Sequence, residues 1–119
     1  MPRFMVLIKA NSQSEAGVMP SEQAQADMTA YNEALVDAGV RLAAEGIQPS
    51  SKGARVYLRD GATKVVDGPF TEAKELIAGF WILQCKSLDE CIEWVKRVPV
   101  DAMPGATGEG EILILELFD

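Results

Sequence analysis

The chain opens on a block of apolar residues at positions 4–8, FMVLI, with no polar alternation. A strand that is apolar on both faces is one covered on both sides, so the pattern predicts a buried strand here. Residues 10–19 are rich in Asn, Ser, Gln and Gly and read as a loop. From Pro20 the period changes. Ala24, Met28, Tyr31, Leu35 and Ala38 recur at spacings of four and three, the stripe of an amphipathic helix. Ser21 is placed to cap it, Glu22 suits the positive end of its dipole, and Gly39 suits its exit. A second strand follows over residues 40–47. Gly46 marks an expected bulge near Glu45, and Pro49 stops the strand.

Residues 54–59 and 63–66 flank Asp60-Gly61, a dipeptide that tolerates the positive φ of a tight hairpin turn. A second turn spans residues 67–70, and Thr71 is a candidate cap for one helical turn through Glu75. Residues 78–85, AGFWILQC, form a strong strand pattern. Ser87 and Glu90 have the spacing of a capping box, in which the Ser hydroxyl and Glu carboxylate each accept from the other's amide. Leu88, Cys91, Ile92, Val95 and Val98 form the stripe of the helix that follows, which Pro99 ends. A Gly-rich loop over 104–110 leads to a last strand over 111–117.

The order is β-α-β-(hairpin)-β-α-β, the split βαβ plan of a ferredoxin-like α+β fold built as one domain over residues 1–119. Two helices would lie on one face of an antiparallel sheet. The strands are nevertheless apolar on both faces: Met5 and Leu7 alternate with Phe4, Val6 and Ile8, and Ile112 and Ile114 alternate with Leu113 and Leu115. The second face also needs cover, and one chain has no spare element to supply it. A second copy would, which predicts a homodimer closed as an α+β barrel.

Composition narrows the chemistry. The 119 residues include no histidine, which excludes a His general base, a Ser–His or Cys–His dyad and His-ligated zinc or haem within the chain. Eleven basic against eighteen acidic residues leave a charge of −7, which argues against nucleic acid or an anionic membrane as the partner. Cys85 and Cys91 are too few and too widely spaced for a disulfide scaffold or a zinc site. They read as buried thiols in a reducing compartment, and a soluble, cytoplasmic protein is expected. Nothing in the composition calls for a cofactor or a metal.

One run is distinctive. Residues 67–75, DGPFTEAKE, resemble the signature of the DGPF branch of the YCII-related family. The opening RFMVLIKA, the segment AEGIQPS at 44–50 and GFWIL at 79–83 fall where that family places similar segments. The resemblance implies a dimeric α+β barrel and little about reaction chemistry. Some relatives carry a His–Asp pair proposed as catalytic, which a chain without histidine cannot reproduce. Members of this branch are often encoded beside alternative sigma factors, which implies a regulatory setting.

The residues yield candidates for chemistry. Glu45 interrupts an apolar strand and needs a partner if it enters a core. Asp67 can cap its own turn or act as a base, and Glu72 can pair with Glu75 on one face of a helical turn. These three, Glu45, Asp67 and Glu72, are the candidate catalytic carboxylates. Gln48, Phe70, Lys74, Glu75 and Trp81 are candidate contacts for a small-molecule ligand. Against this stand a structural turn at Asp67, a solvated charged segment at 72–75, and core packing for Tyr31, Phe70, Phe80 and Trp81. Three functions follow: a cofactor-free enzyme using carboxylates in a barrel cleft, a ligand-binding module without turnover, or an accessory protein acting through protein contacts.

Overall fold

The computed structural model describes residues 1–99 and 110–119. Among these residues six strands and three helices follow one another: β1 (Arg3–Lys9), α1 (Ser12–Glu15), α2 (Glu22–Asp37), β2 (Arg41–Gly46), β3 (Ala54–Arg59), β4 (Ala62–Asp67), β5 (Ile77–Gln84), α3 (Leu88–Val95) and β6 (Ile112–Glu116). Four strands form an antiparallel sheet in the order β2-β5-β1-β6, and β3 and β4 form a separate two-stranded sheet. Without the hairpin this is the α+β ferredoxin-like arrangement, with the first and third sheet strands central and the second and fourth at the edges.

The core lies on the helix side of the sheet. Phe4, Val6 and Ile8 of β1 alternate inward beside Trp81 and Leu83 of β5, and meet Tyr31 and Leu35 of α2 and Cys91 of α3. Each large side chain so removed from water contributes about 1.5–3 kcal/mol. The helix entries are set locally. The Ser21 hydroxyl accepts from the Ala24 amide at 3.1 Å, and that of Ser87 accepts from the Glu90 amide at 3.2 Å. The expected capping box at Ser87 forms in one direction only, because the Glu90 carboxylate accepts from the Lys86 amide at 3.4 Å instead.

Four expectations are corrected. The loop at 10–19 contains the short helix α1, capped by the Asn11 carboxamide, which accepts from the amides of Gln13 and Ser14. The irregularity of β2 falls between Arg41 and Ala43, not at Glu45-Gly46. The turn after Thr71 is a single 3-10 turn, Ala73–Glu75, with Glu72 at its N-cap and no side-chain cap. Ala38 and Leu88, assigned to helix stripes, are exposed, since each sits at a helix end beyond the reach of the sheet. The Gly-rich segment at 104–109 lies outside the described residues.

The opposite face of the sheet has no cover within the described residues. By register it carries Met5 and Leu7 of β1, Phe80 and Ile82 of β5, Leu113 and Leu115 of β6, and Ala43 and Glu45 of β2. Leu113 and Leu115 are exposed and the residues of β1 and β5 half-buried. The hairpin turns through Asp60 at φ 49° and Gly61 at φ 76°, as the dipeptide predicts.

Leu35 is fully buried, whereas Leu88 is 49% exposed. Leu35→Ala is expected to cost about 2–5 kcal/mol in urea unfolding and Leu88→Ala less than about 1 kcal/mol, because only the first opens a cavity. Equal losses would show that the core is not centred on the helix side of the sheet.

Candidate functional site

A cleft of about 530 Å³ lies between α2 and the β2–β5 side of the sheet. Its apolar walls are Ile8, Met28, Val36, Ala44, Ala78 and Trp81, and its polar side chains include Asn32 and Arg41. The position follows from the helix length and the strand order. α2 packs Tyr31 and Leu35 into the core with residues of β1 and β5, and runs beside the edge strand β2. One interaction orders the floor: the Trp81 Nε1–H donates to Asn32 Oδ1 at 2.8 Å. The Asn32 amide nitrogen donates to the Met28 carbonyl at 3.0 Å, which fixes which end of the carboxamide faces the indole. Arg41 approaches the same Oδ1 at 3.5 Å, leaving most of its donors free for the cleft mouth. Behind the floor, Tyr31 meets Trp81 edge-on at 5.7 Å between ring centroids, and its hydroxyl donates to the Trp94 carbonyl at 2.8 Å.

A second cleft, about 390 Å³, is lined by Glu15, Gln48, Lys52, Glu75 and the apolar Ile47, Leu76 and Ile77. Its rim is tied together across the sequence. The Glu15 carboxylate accepts from the Ser50 amide at 2.8 Å and from the Ser50 hydroxyl. The Ser50 Oγ in turn accepts from the Phe70 amide at 3.0 Å, and the Gly68 amide donates to the Gly53 carbonyl at 3.0 Å. Gly68 packs so closely that a Cβ there would stand 1.8 Å from the Ser50 carbonyl oxygen. The Asp-Gly-Pro-Phe turn is thus a joint between three loops, and its glycine is required by contact.

The sequence matches the YCII-related domain over residues 2–114. The chain belongs to the YCII-related family. It is also 33% identical over 97 residues to an uncharacterized protein of Rhizobium meliloti (strain 1021), an alignment covering 82% of this chain and 77% of that relative. In this YCII-related chain four of the eight candidate residues border one of the two clefts. Trp81 lines the larger, Glu45 borders it at the β2 edge, and Gln48 and Glu75 line the smaller. Asp67 ends β4 and Glu72 precedes the 3-10 turn, both exposed, and Lys74 lies within that turn. Glu45 is exposed rather than drawn into the core, because β2 is an edge strand whose register turns that position to the open sheet face. Phe70 is half-buried under the Arg55 guanidinium, 4.4 Å from the ring centroid, and stands apart from the core cluster.

Asn32, Arg41, Glu15 and Ser50 escaped the sequence reading. Asn32 had a signal, since it lies four residues after Met28 and shares its side of the helix. Glu15 and Ser50 are 35 residues apart and had none. No helix among the described residues is long and apolar enough to cross a membrane, and they hold no cluster of three metal-ligating side chains.

Burial sets the electrostatics behind the larger cleft. It pushes the Tyr31 phenol up to about 12. It also pushes the Cys91 thiol up to about 12, helped by the neighbouring Cys85, whose own thiol is raised by burial and then by Glu90. Both cysteines are buried and free, so they are poor nucleophiles. These folded-state values lie above those of the unfolded chain, so between about pH 9 and 12 the folded state binds more protons. Stability is then fully present below about pH 9 and falls as pH rises. Thermal melts from pH 8 to 11 are expected to show this decline, with a shallower slope in Tyr31→Phe and Cys91→Ala. A flat profile would remove the assignment.

Gly68→Ala is expected to lower stability by about 1–3 kcal/mol in denaturant unfolding, since the Ser50 backbone must move. A neutral outcome would mean that the turn is held elsewhere.

Proposed function

We propose that this protein is a homodimeric, non-catalytic ligand-binding module whose larger cleft takes a small, mainly apolar molecule with one polar end. The observation that carries this reading is the cleft itself. An indole and aliphatic side chains supply the area, and Asn32 and Arg41 supply oriented polar groups, the usual division of labour in small-molecule sites. The alternative of a carboxylate enzyme has less support. Glu45, Asp67 and Glu72 lie on separate elements, each exposed to water, so none is placed to act as acid to another's base. The open apolar sheet face supports pairing with a second copy, with the two sheets facing. The cleft lies on the helix side and stays accessible in such a pair.

A panel of small aromatic acids and amines is the test, read by thermal shift and Trp81 fluorescence. At least one compound is expected to raise the melting temperature of the wild type and of Asp67→Asn and Glu72→Gln, but not of Ala44→Phe, which fills the cleft. Binding retained by Ala44→Phe would place the ligand elsewhere. Dependence on Asp67 or Glu72 would restore the enzymatic reading. For the assembly, Leu113→Lys is expected to raise the dimer Kd at least tenfold by light scattering, because it sets a charge in a dry face.

A further inference from the structure

The β3–β4 hairpin forms its own sheet, and its register sorts its side chains into two faces. Arg55, Tyr57 and Arg59 of β3 share one face with Ala62, Lys64 and Val66 of β4, while Asp67 and the apolar Val56, Leu58 and Val65 lie on the other. A cleft of about 390 Å³ opens on the first face, lined by Tyr57, Arg59, Ala62, Thr63, Lys64 and Val66. Charge sets it apart from the two clefts described above. The larger is bordered by Glu33 and Asp37 as well as Arg41, and the smaller by Glu15 and Glu75 as well as Lys52. The hairpin cleft has two cations and no carboxylate, in a chain with eighteen acidic residues against eleven basic.

These two cations are available to a ligand. Arg55, on the same face, is committed elsewhere, since its guanidinium stands 4.4 Å from the Phe70 ring centroid. Among the described residues no carboxylate pairs with Arg59 or Lys64. Tyr57 lies opposite Lys64 and Arg59 opposite Ala62, which makes Arg59 and Lys64 diagonal neighbours across the two strands. Long side chains at such positions reach one another, and so can meet on one small anion. The base of the hairpin is held in place: the Gly68 amide donates to the Gly53 carbonyl at 3.0 Å, and the Phe70 amide to Ser50 Oγ at 3.0 Å.

We propose that this cleft is a second ligand site, which takes a small aryl phosphate with its phosphate on Arg59 and Lys64 and its ring against Tyr57. A phosphate monoester carries a charge of about −1.5 to −2 at pH 7 and three strong acceptor oxygens. It can occupy a guanidinium fork and an ammonium together, whereas one carboxylate engaged by the fork leaves the ammonium unmatched. Volume argues for the ring. The cleft falls within the range of small-molecule sites, about 300–1,000 Å³, and inorganic phosphate alone would leave Tyr57 and Val66 without a partner. The site lies on a different element from the larger cleft and does not depend on the function proposed for it.

Phenyl phosphate is the probe, titrated into the wild-type protein at low ionic strength while backbone amides are followed by NMR. Saturable shifts centred on β3 and β4 are expected. Arg59 and Lys64 are exposed, so Arg59→Gln and Lys64→Gln leave the core intact. Each is expected to raise the Kd about tenfold or more, the loss of one charge-assisted contact. Arg41→Gln, which alters only the larger cleft, is expected to leave it unchanged. Inorganic phosphate and phenol are both expected to bind more weakly than phenyl phosphate. Absence of hairpin shifts, or shifts centred on Asn32 and Trp81, would overturn the site. Unchanged affinity in both hairpin variants would overturn it too, as would equal affinity for inorganic phosphate or for phenol, since charge and ring must both count.

Discussion

Two helices can cover only one face of a four-stranded sheet, and most of this structure follows from how that shortage is met. β1 and β5 occupy the centre and send alternate residues, Phe4, Val6, Ile8, Trp81 and Leu83, beneath α2 and α3. The same strands send Met5, Leu7, Phe80 and Ile82 the other way, onto a face that nothing in the described chain covers. α2 runs beside the β2 edge without filling the space over it. That leaves the cleft over Ala44 and Trp81, where Asn32 and Arg41 meet the indole. An uncovered face and a cleft beside an edge strand are two consequences of one geometric limit.

The Asp-Gly-Pro-Phe run illustrates how a distinctive motif can serve architecture. Its glycine lies against the Ser50 carbonyl, and the Phe70 amide is accepted by the Ser50 hydroxyl, which Glu15 holds in turn. The joint fixes where β4 ends and where the chain turns toward β5. It therefore also fixes how the hairpin leaves the body. Asp67 and Glu72 flank this joint and remain exposed, while the contacts that hold it come mainly from backbone groups and from residues distant in sequence.

Membership of the YCII-related family accounts for the fold and leaves the chemistry to the site. Without histidine the chain offers no His-centred acid–base pair. What this chain presents instead is shape: an aromatic and aliphatic cleft with a fixed carboxamide and one guanidinium at its mouth. On the proposed reading such a cleft would discriminate by fit and by hydrogen bonding to a polar end, and would need no titrating group to do so.

The sequence by itself determined the order of the six strands and of the two longer helices, the caps at Ser21 and Ser87, the hairpin at Asp60-Gly61 and the apolar character of both sheet faces. These are local or periodic properties, set by backbone sterics and by which side of an element each residue occupies. The tertiary structure alone decided that Glu45 faces solvent, that Phe70 lies under Arg55 and not in the core, and that Glu15 meets Ser50. It alone brought Glu45 and Trp81 to one cleft and Gln48 and Glu75 to another. Each of those outcomes depends on strand order and on the packing of residues far apart in the chain. A carboxylate in an apolar strand reads the same in sequence whether that strand lies at the centre of a sheet or, as β2 does, at its edge.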